Sequence, residues 1–352
     1  MVLFFNIFFP ILLVFFVLIA LKPLIKFLKT NKIVDVPNYR SNHEMIIPKG
    51  AGILLIPILS TSIILYSYFG FINRSPWILL SLLMLIACLF SFYDDIKNLS
   101  SAKKLIFQVV IVFLGISFFD KQLSIFLSKN SQIGEMYFNQ HIMKIVLYIF
   151  LSMLWMWVMN VFNFMDGIDG ITAVQVLFFS IGIIVLSLME VIDRQYSYIG
   201  ILLFSVFLGF LYWNITPSKI FIGDSGSIPI GFFIGSIFVS SFINEKGFIS
   251  ICLLVIYYLS DSSITLIRRI IEKKNIFLAH SEHFYQKKVR NGFSHDYVLR
   301  YIVFVNILLL SFSILFTKLG TITVILALLT VFIFLLQHSV LLDMVILVQK
   351  LT

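Results

Sequence analysis

MKIVLYIFLSMLWMWVMNVFNFMDGIDGITAVQVLFFSIGIIVLSLM, residues 143–189, is two long apolar runs joined by a short polar turn. Each run is near the length of roughly 17–25 residues that crosses about 30 Å of hydrocarbon as a helix. The turn between them holds two amides and two carboxylates, Asn160, Asn163, Asp166 and Asp169, within ten residues. Apolar runs of the same kind recur outward at about 3–21, 51–71, 77–93, 104–119, 197–213, 228–243, 248–266, 301–317 and 321–338, which with 143–160 and 171–189 makes eleven expected spans.

Composition agrees. Of 352 residues, 60% are hydrophobic and 12% charged, and the mean hydropathy is +1.03. A soluble domain with that balance would expose large apolar patches. A membrane β-barrel would instead show alternating runs of about 10 residues, and they are absent. The expected class is all-α, a polytopic integral membrane protein with a single transmembrane domain over residues 1–352. The first run lacks a basic start and a small-residue cleavage site, so it reads as an uncleaved helix. Cys88 and Cys252 lie inside apolar runs and read as packing residues. No internal repeat is visible, which leaves a transporter built from inverted repeats without support.

The net charge of +9 is read as positive-inside topology with anionic lipid or phosphate partners, and no nucleic-acid partner is expected. Of the 26 Lys and Arg residues, 19 fall on the side that holds segments 22–50 and 267–300. That side is therefore expected to be cytoplasmic and the N-terminus periplasmic. The polar clusters all fall on the cytoplasmic side of this topology, although hydropathy and Lys/Arg counts alone built it.

Asp94-Asp95 follow the third span, with Lys97, Lys103, Lys104 and Gln108 after them. Adjacent carboxylates repel, so they suit a bound cation or a shared proton; the plainer reading is a helix cap on a solvated loop. In the 160–170 turn, the Asn pair and the Asp pair each have a three-residue spacing that shares a helical face. Two Asp-Gly steps allow tight turns. Such oxygens suit a hard cation or the polar edge of a base. Phe221-Ile-Gly-Asp224-Ser-Gly-Ser227 opens the eighth span, where exposed N–H groups would form an anion site and Asp224 would hold Mg²⁺. Part of that pattern is simply an N-cap. His280-x-x-His283 has no third ligand at zinc spacing, so diphosphate contact is the better reading of this basic segment. Lys49, in Pro48-Lys-Gly50-Ala-Gly52, is expected at headgroup depth.

These motifs together resemble the polyprenyl-phosphate N-acetylhexosamine-1-phosphate transferase family, over about residues 35–300. Asp35-x-Pro37-x-x-Arg40-x-x-His43 with Pro48–Gly52 looks like that family's first loop, and Asp94-Asp95 with Lys104 and Gln108 like its paired aspartates. The segments 160–170 and 221–227 match its two most diagnostic motifs. His280-Ser-Glu-His283-Phe-Tyr285-Gln286 looks like its His-rich loop, in a branch tied to O-antigen sugars. The resemblance implies transfer of an N-acetylated sugar-1-phosphate from a UDP-sugar to polyprenyl (undecaprenyl) phosphate with release of UMP, at the start of surface polysaccharide synthesis. It implies Mg²⁺, with Mn²⁺ as an alternative, in a multi-pass protein of the inner (cytoplasmic) membrane that is a candidate homodimer.

By similarity Asp94 and Asp95 are catalytic, Asn163 and Asp224 hold the metal, and Asn160, Asp166 and Asp169 line the nucleotide pocket. Lys49, Lys104, His280 and His283 contact phosphate or lipid. Two positions depart from the family pattern. Ser281 stands where that branch has Arg, with Lys287, Lys288 or Arg290 as candidate substitutes, and Ala51 stands where Gly is usual. The rival reading is a transporter or flippase of an anionic lipid. It would place charges near the middle of the spans, and here they cluster at the ends.

Overall fold

The computed structural model describes residues 4–37, 45–130, 140–276, 278 and 280–351. Arg40 and His43 of the first loop lie outside the described residues. Among the described residues, about 78% are helical. After a π-helical turn, Phe4–Phe8, the helices are α1 Phe9–Thr30, α2 Gly52–Tyr68, α3 Trp77–Lys97, α4 Ser101–Ser117, α5 Asp120–Lys129, α6 Gln140–Phe164 and α7 Ile171–Leu188. They continue with α8 Gln195–Asn214, α9 Asp224–Ile243, α10 Phe248–Leu253, α11 Ile256–Ile271, α12 Phe284–Arg290, α13 His295–Leu319 and α14 Thr321–Leu351.

Among the described residues, seven helices are long and apolar enough to cross a membrane, and eight if α4 and α5, bent by 64°, are one span. The expected spans at 51–71 and 321–338 fall on shorter apolar stretches, Gly52–Tyr68 and Thr321–Leu336. The expected span 248–266 is interrupted between α10 and α11. The Leu254 carbonyl freed at that break accepts a hydrogen bond from Nε2 of Gln175 at 2.9 Å. Hydropathy is blind to this break, because Leu254 and Val255 are themselves apolar.

The centre of the bundle is α9, 94% of whose apolar window is buried. It packs against α6, α3 and α2. Small residues permit this, as they do wherever helices meet in lipid without a hydrophobic driving force between them. A Cβ on Gly235 would lie 2.4 Å from the Trp155 ring of α6, and one on Gly226 would lie 3.1 Å from Cα of Gly52 in α2.

Two short strands matter for position. Val34–Asp35 pairs antiparallel with Ile47–Pro48. The chain then runs beside the segment before α9: Phe221 N donates to Pro48 O at 2.9 Å, and Gly50 N and Ala51 N donate to Phe221 O at 3.1 and 3.0 Å. This pairing carries Lys49 to the N-terminus of α9.

Candidate active site

The C-terminal turn of α3 presents Asp94 and Asp95 on different faces, because consecutive helical residues point about 100° apart. The two carboxylates have separate partners. Oδ1 of Asp94 accepts from Leu99 N at 2.7 Å, closing the turn after the left-handed Asn98 at φ 50°. Its Oδ2 pairs with Nζ of Lys104, one turn into α4.

Asp95 is turned the other way, under α9. Its Oδ1 accepts from Asp224 N at 3.2 Å and its Oδ2 from Ser225 N at 3.0 Å. Lys49 Nζ lies 3.1 Å from the same carboxylate. The N-terminus of α9, expected as an anion site, thus already has its first two N–H groups satisfied by a protein carboxylate. Gly223, at φ 73°, is required there, since a Cβ would meet Oδ2 of Asp95 at 2.7 Å. Burial alone would lower the Lys49 ammonium, but Asp95 and Asp224 outweigh it and hold its pKa up at about 12. Asp95 therefore serves the fold directly. Asp95→Asn keeps one accepting oxygen, strands one α9 N–H and leaves Lys49 short of a counter-charge, which is expected to cost about 2–3 kcal/mol. Thermal unfolding of the purified protein in detergent checks this. An unchanged midpoint would show that the buried contacts contribute nothing.

Lys104 bridges the two halves of the site. Its Nζ contacts Asp94 and lies 3.3 Å from Oδ2 of Asp224. Oδ1 of Asp224 accepts from Nδ2 of Asn163 at 3.1 Å, and the same amide donates to Oγ of Ser227 at 3.1 Å. Asn160, one turn earlier on α6, makes a reciprocal amide pair with Gln108, at 3.2 and 2.9 Å. The Asp224 side chain is 26% exposed, against 2% for Asp94 and 0% for Asp95. Of the three carboxylates, it is the one a solute can reach.

A cavity of about 470 Å³ opens beside this network. Lys104, Asn160, Asn163, Asp166, His280 and His283 are among its lining residues. Burial, with Asp224 and Asp95 nearby, pushes the Asp166 carboxyl up to about 7, so near neutral pH it can either donate or accept a hydrogen bond. Asp169 is directed elsewhere. Its Oδ2 accepts from Ser218 N at 3.1 Å, and its Oδ1 lies 3.3 Å from Nδ1 of His295. It ties the 160–170 turn to the loop before α9 and to the start of α13, and it does not line the cavity.

The basic segment is largely occupied with itself. Arg268, Arg269 and Lys274 all contact the Glu282 carboxylate. Lys288 lies 5.3, 5.0 and 4.2 Å from the ring centres of Phe293, Tyr297 and Tyr301, where burial pulls its ammonium down to about 8. Arg290 donates to the Ser281 carbonyl at 3.5 Å. Lys288 and Arg290, two of the candidate replacements for the Arg expected at 281, therefore brace α12. Burial, then the charges of His283 and Arg269, pull His280 down to about 4, so it meets a ligand as a neutral imidazole at physiological pH.

One residue escaped the sequence reading. Asp261 of α11 is fully buried and contacts His283, Phe284 and Tyr285. The available signal was its isolation, a lone carboxylate within an apolar segment.

Comparison with known proteins gives a consistent picture. The sequence model described as glycosyl transferase family 4 matches residues 77–242, which include Asp94, Lys104, Asn163, Asp166 and Asp224. The chain is 27% identical over 282 residues to a probable undecaprenyl-phosphate N-acetylglucosaminyl 1-phosphate transferase of Bacillus subtilis (strain 168), covering 74% of this chain and 71% of that protein. It is 25% identical over 297 residues to the undecaprenyl-phosphate alpha-N-acetylglucosaminyl 1-phosphate transferase of Thermotoga maritima, covering 84% and 83%. It is 27% identical over 260 residues to the phospho-N-acetylmuramoyl-pentapeptide-transferase of Pelagibacter ubique, covering 63% and 68%.

Proposed function

We propose that this chain, which belongs to the polyprenyl-phosphate N-acetylhexosamine-1-phosphate transferase family, transfers an N-acetylated sugar-1-phosphate from a UDP-sugar to undecaprenyl phosphate and releases UMP. The relatives support polyprenyl-phosphate sugar-1-phosphate transfer in glycan synthesis, in a multi-pass membrane protein. The UDP donor, the N-acetylated sugar and a role in O-antigen-like polysaccharide are our extension of that activity. The transporter reading has no support among the relatives.

One observation carries the proposal: a single lysine, Lys104, joins Asp94 to Asp224 at the rim of a cavity lined by amides, imidazoles and a carboxyl. Both reactants are anions, and their approach must be neutralised before an in-line displacement can occur. An oxygen of the lipid phosphate attacks the sugar-linked phosphorus, the bond to the UMP oxygen breaks, and UMP leaves. Lys104 is placed to receive phosphate oxygens from either reactant. An apolar recess lined by Phe150, Met153, Leu154, Met156 and Trp157 shares Trp157 and Asn160 with the cavity, which suits lateral entry of a prenyl chain. The Lys and Arg asymmetry supports a cytoplasmic site, a periplasmic N-terminus and an inner-membrane location.

Among the described residues, no group of three or more His, Cys, Asp and Glu is arranged to hold a metal ion by itself. That agrees with Mg²⁺, which is bound through one or two protein oxygens together with substrate phosphates and water. Asp224 and Asn163 fit as those ligands: they are adjacent, Asp224 is reachable, and the Asn163 amide can turn its oxygen outward. When bound, Mg²⁺ or Mn²⁺ would offset charge on the diphosphate.

Incubating membranes with labelled UDP-sugars, undecaprenyl phosphate and Mg²⁺ tests the reaction. A labelled lipid with release of UMP is expected. Release of UDP would show transfer of the sugar alone and overturn the phosphosugar reading.

A further inference from the structure

Asp261 is wholly buried in α11, and the reaction as described makes no use of it. Its carboxylate gathers the start of α12. Oδ1 lies 3.1 Å from Nδ1 of His283 and accepts from Phe284 N at 3.1 Å, and Oδ2 accepts from Tyr285 N at 3.4 Å. Thr265 donates to Oδ1 as well, at 3.3 Å. An oxygen that already accepts from two donors is best placed to receive a third proton from Nδ1, and not to give one up. That keeps a proton on Nδ1, and the carboxylate balances the charge of an imidazolium, the form in which Nε2 carries its own proton and can donate into the cavity that His283 lines.

The same contacts seat the segment on the opposite wall. Oη of Tyr285 donates to the Phe164 carbonyl, at the end of α6, at 2.9 Å. Gly167 makes room for this: a Cβ there would lie 2.3 Å from Oη of Tyr285 and 2.9 Å from Nε2 of Gln286. Asp166 precedes that glycine. One buried carboxylate thus aims an imidazole into the cavity and holds the turn that carries Asp166.

We propose that Asp261 is a positioning residue, fixing His283 so that Nε2 meets the phosphate side of the donor and docking residues 283–285 on the Asp166 turn. The proposal rests on the transferase reading above and adds to it a residue whose effect passes through His283. A merely structural carboxylate would lower stability and leave turnover per folded molecule intact.

The test uses the full-length protein, purified in detergent, with UDP-sugar, undecaprenyl phosphate and Mg²⁺. Thermal unfolding is measured beside kcat and KM. The amide nitrogen of Asn occupies roughly the place of imidazole Nδ1, so His283→Asn keeps the Asp261 contact and loses Nε2. It is expected to keep its unfolding midpoint and lose about 100-fold in kcat, the effect of removing one well-placed donor. His283→Gln, whose amide nitrogen falls near Nε2, is expected to retain more activity. Asp261→Asn is expected to lose about ten-fold in kcat, as for loss of an orienting partner, with little further loss in the His283→Asn background.

Near-normal turnover of His283→Asn would overturn the proposal. So would losses that multiply in the double variant, or an Asp261→Asn protein that is less stable with unchanged kcat. If Asp261→Asn does not fold, the comparison of His283→Asn with His283→Gln decides, and equal activity in the two overturns the aim of Nε2. A wild type inactive with every donor sinks the transferase reading itself, and this proposal with it.

Discussion

Asp94→Asn is expected to lower turnover at pH 7 by about 100- to 1,000-fold, and raising the pH to about 8.5 should recover no more than about ten-fold of that. The reasoning starts from the acceptor. A phosphate monoester loses its second proton near pH 6, so most of it is already ionised at pH 7. A base that only removed this proton would gain little, and a higher pH would do the same work without it. The geometry gives Asp94 a different task. Both of its oxygens are engaged, one by Leu99 N and the other by Lys104. Neutralising it leaves Lys104 with Asp224 alone, so the ammonium is drawn toward Asp224, away from the position between the two reactants. Rates from pH 6 to 9 on the purified variant check this. Full recovery at high pH would make Asp94 the base. A third role, as nucleophile, predicts a covalent sugar-phosphate adduct on the wild-type protein in a single turnover, which mass spectrometry of the denatured protein would detect.

The contrast between Asp94 and Asp95 shows where reading the sequence stops. The pair was visible as a unit, and so was its location at the end of a span. Which member faces Lys104 and which caps α9 depends on how α3 is rotated about its axis. That rotation is set by packing against α9 and not by the local sequence. The 160–170 turn divides in the same way. Asn160, Asn163 and Asp166 line the cavity, whereas Asp169 turns to Ser218 and His295, residues about 50 and 126 positions further on. A three-residue spacing marks a shared face only while the helix continues, and α6 ends at Phe164.

The role of Asp261 was illegible for a related reason. Its partners are 22 to 24 residues downstream, across a polar loop, and no short motif contains both. The basic loop was legible as a charge run, but its pairing with Glu282 was not. Charges that look free in a sequence find one another once the chain folds back. By contrast, the membrane class and the site's position at helix ends needed only hydropathy and apolar length, which act without tertiary context.

Asp224→Asn is expected to be the most damaging single change, with turnover reduced by about 1,000-fold or more and stability unchanged or slightly lower. Its side chain contributes no cap to α9, because it is the backbone N–H of Asp224 that donates to Asp95. The fold therefore does not need the charge. Electrostatics point the same way: three carboxylates, Asp94, Asp95 and Asp224, share two lysines, Lys49 and Lys104. Removing the Asp224 charge relieves its repulsion of Asp94 and Asp95 but gives up its attraction to Lys104, so the net loss is small, while Lys104 keeps Asp94 and Lys49 keeps Asp95. A carboxylate that is the most exposed of the three and is not needed to cap the helix fits a role toward a ligand. The proposed ligand is the Mg²⁺-bound diphosphate, so the variant should also need a higher metal concentration for half-maximal residual activity. In the wild type, a chelator should abolish transfer, and added Mg²⁺ or Mn²⁺ should restore it. The decisive comparison is a metal titration of both proteins alongside thermal unfolding. An Asp224→Asn protein that is inactive and also far less stable would assign Asp224 to the fold. An active one, with the wild-type metal requirement, would remove it from the site.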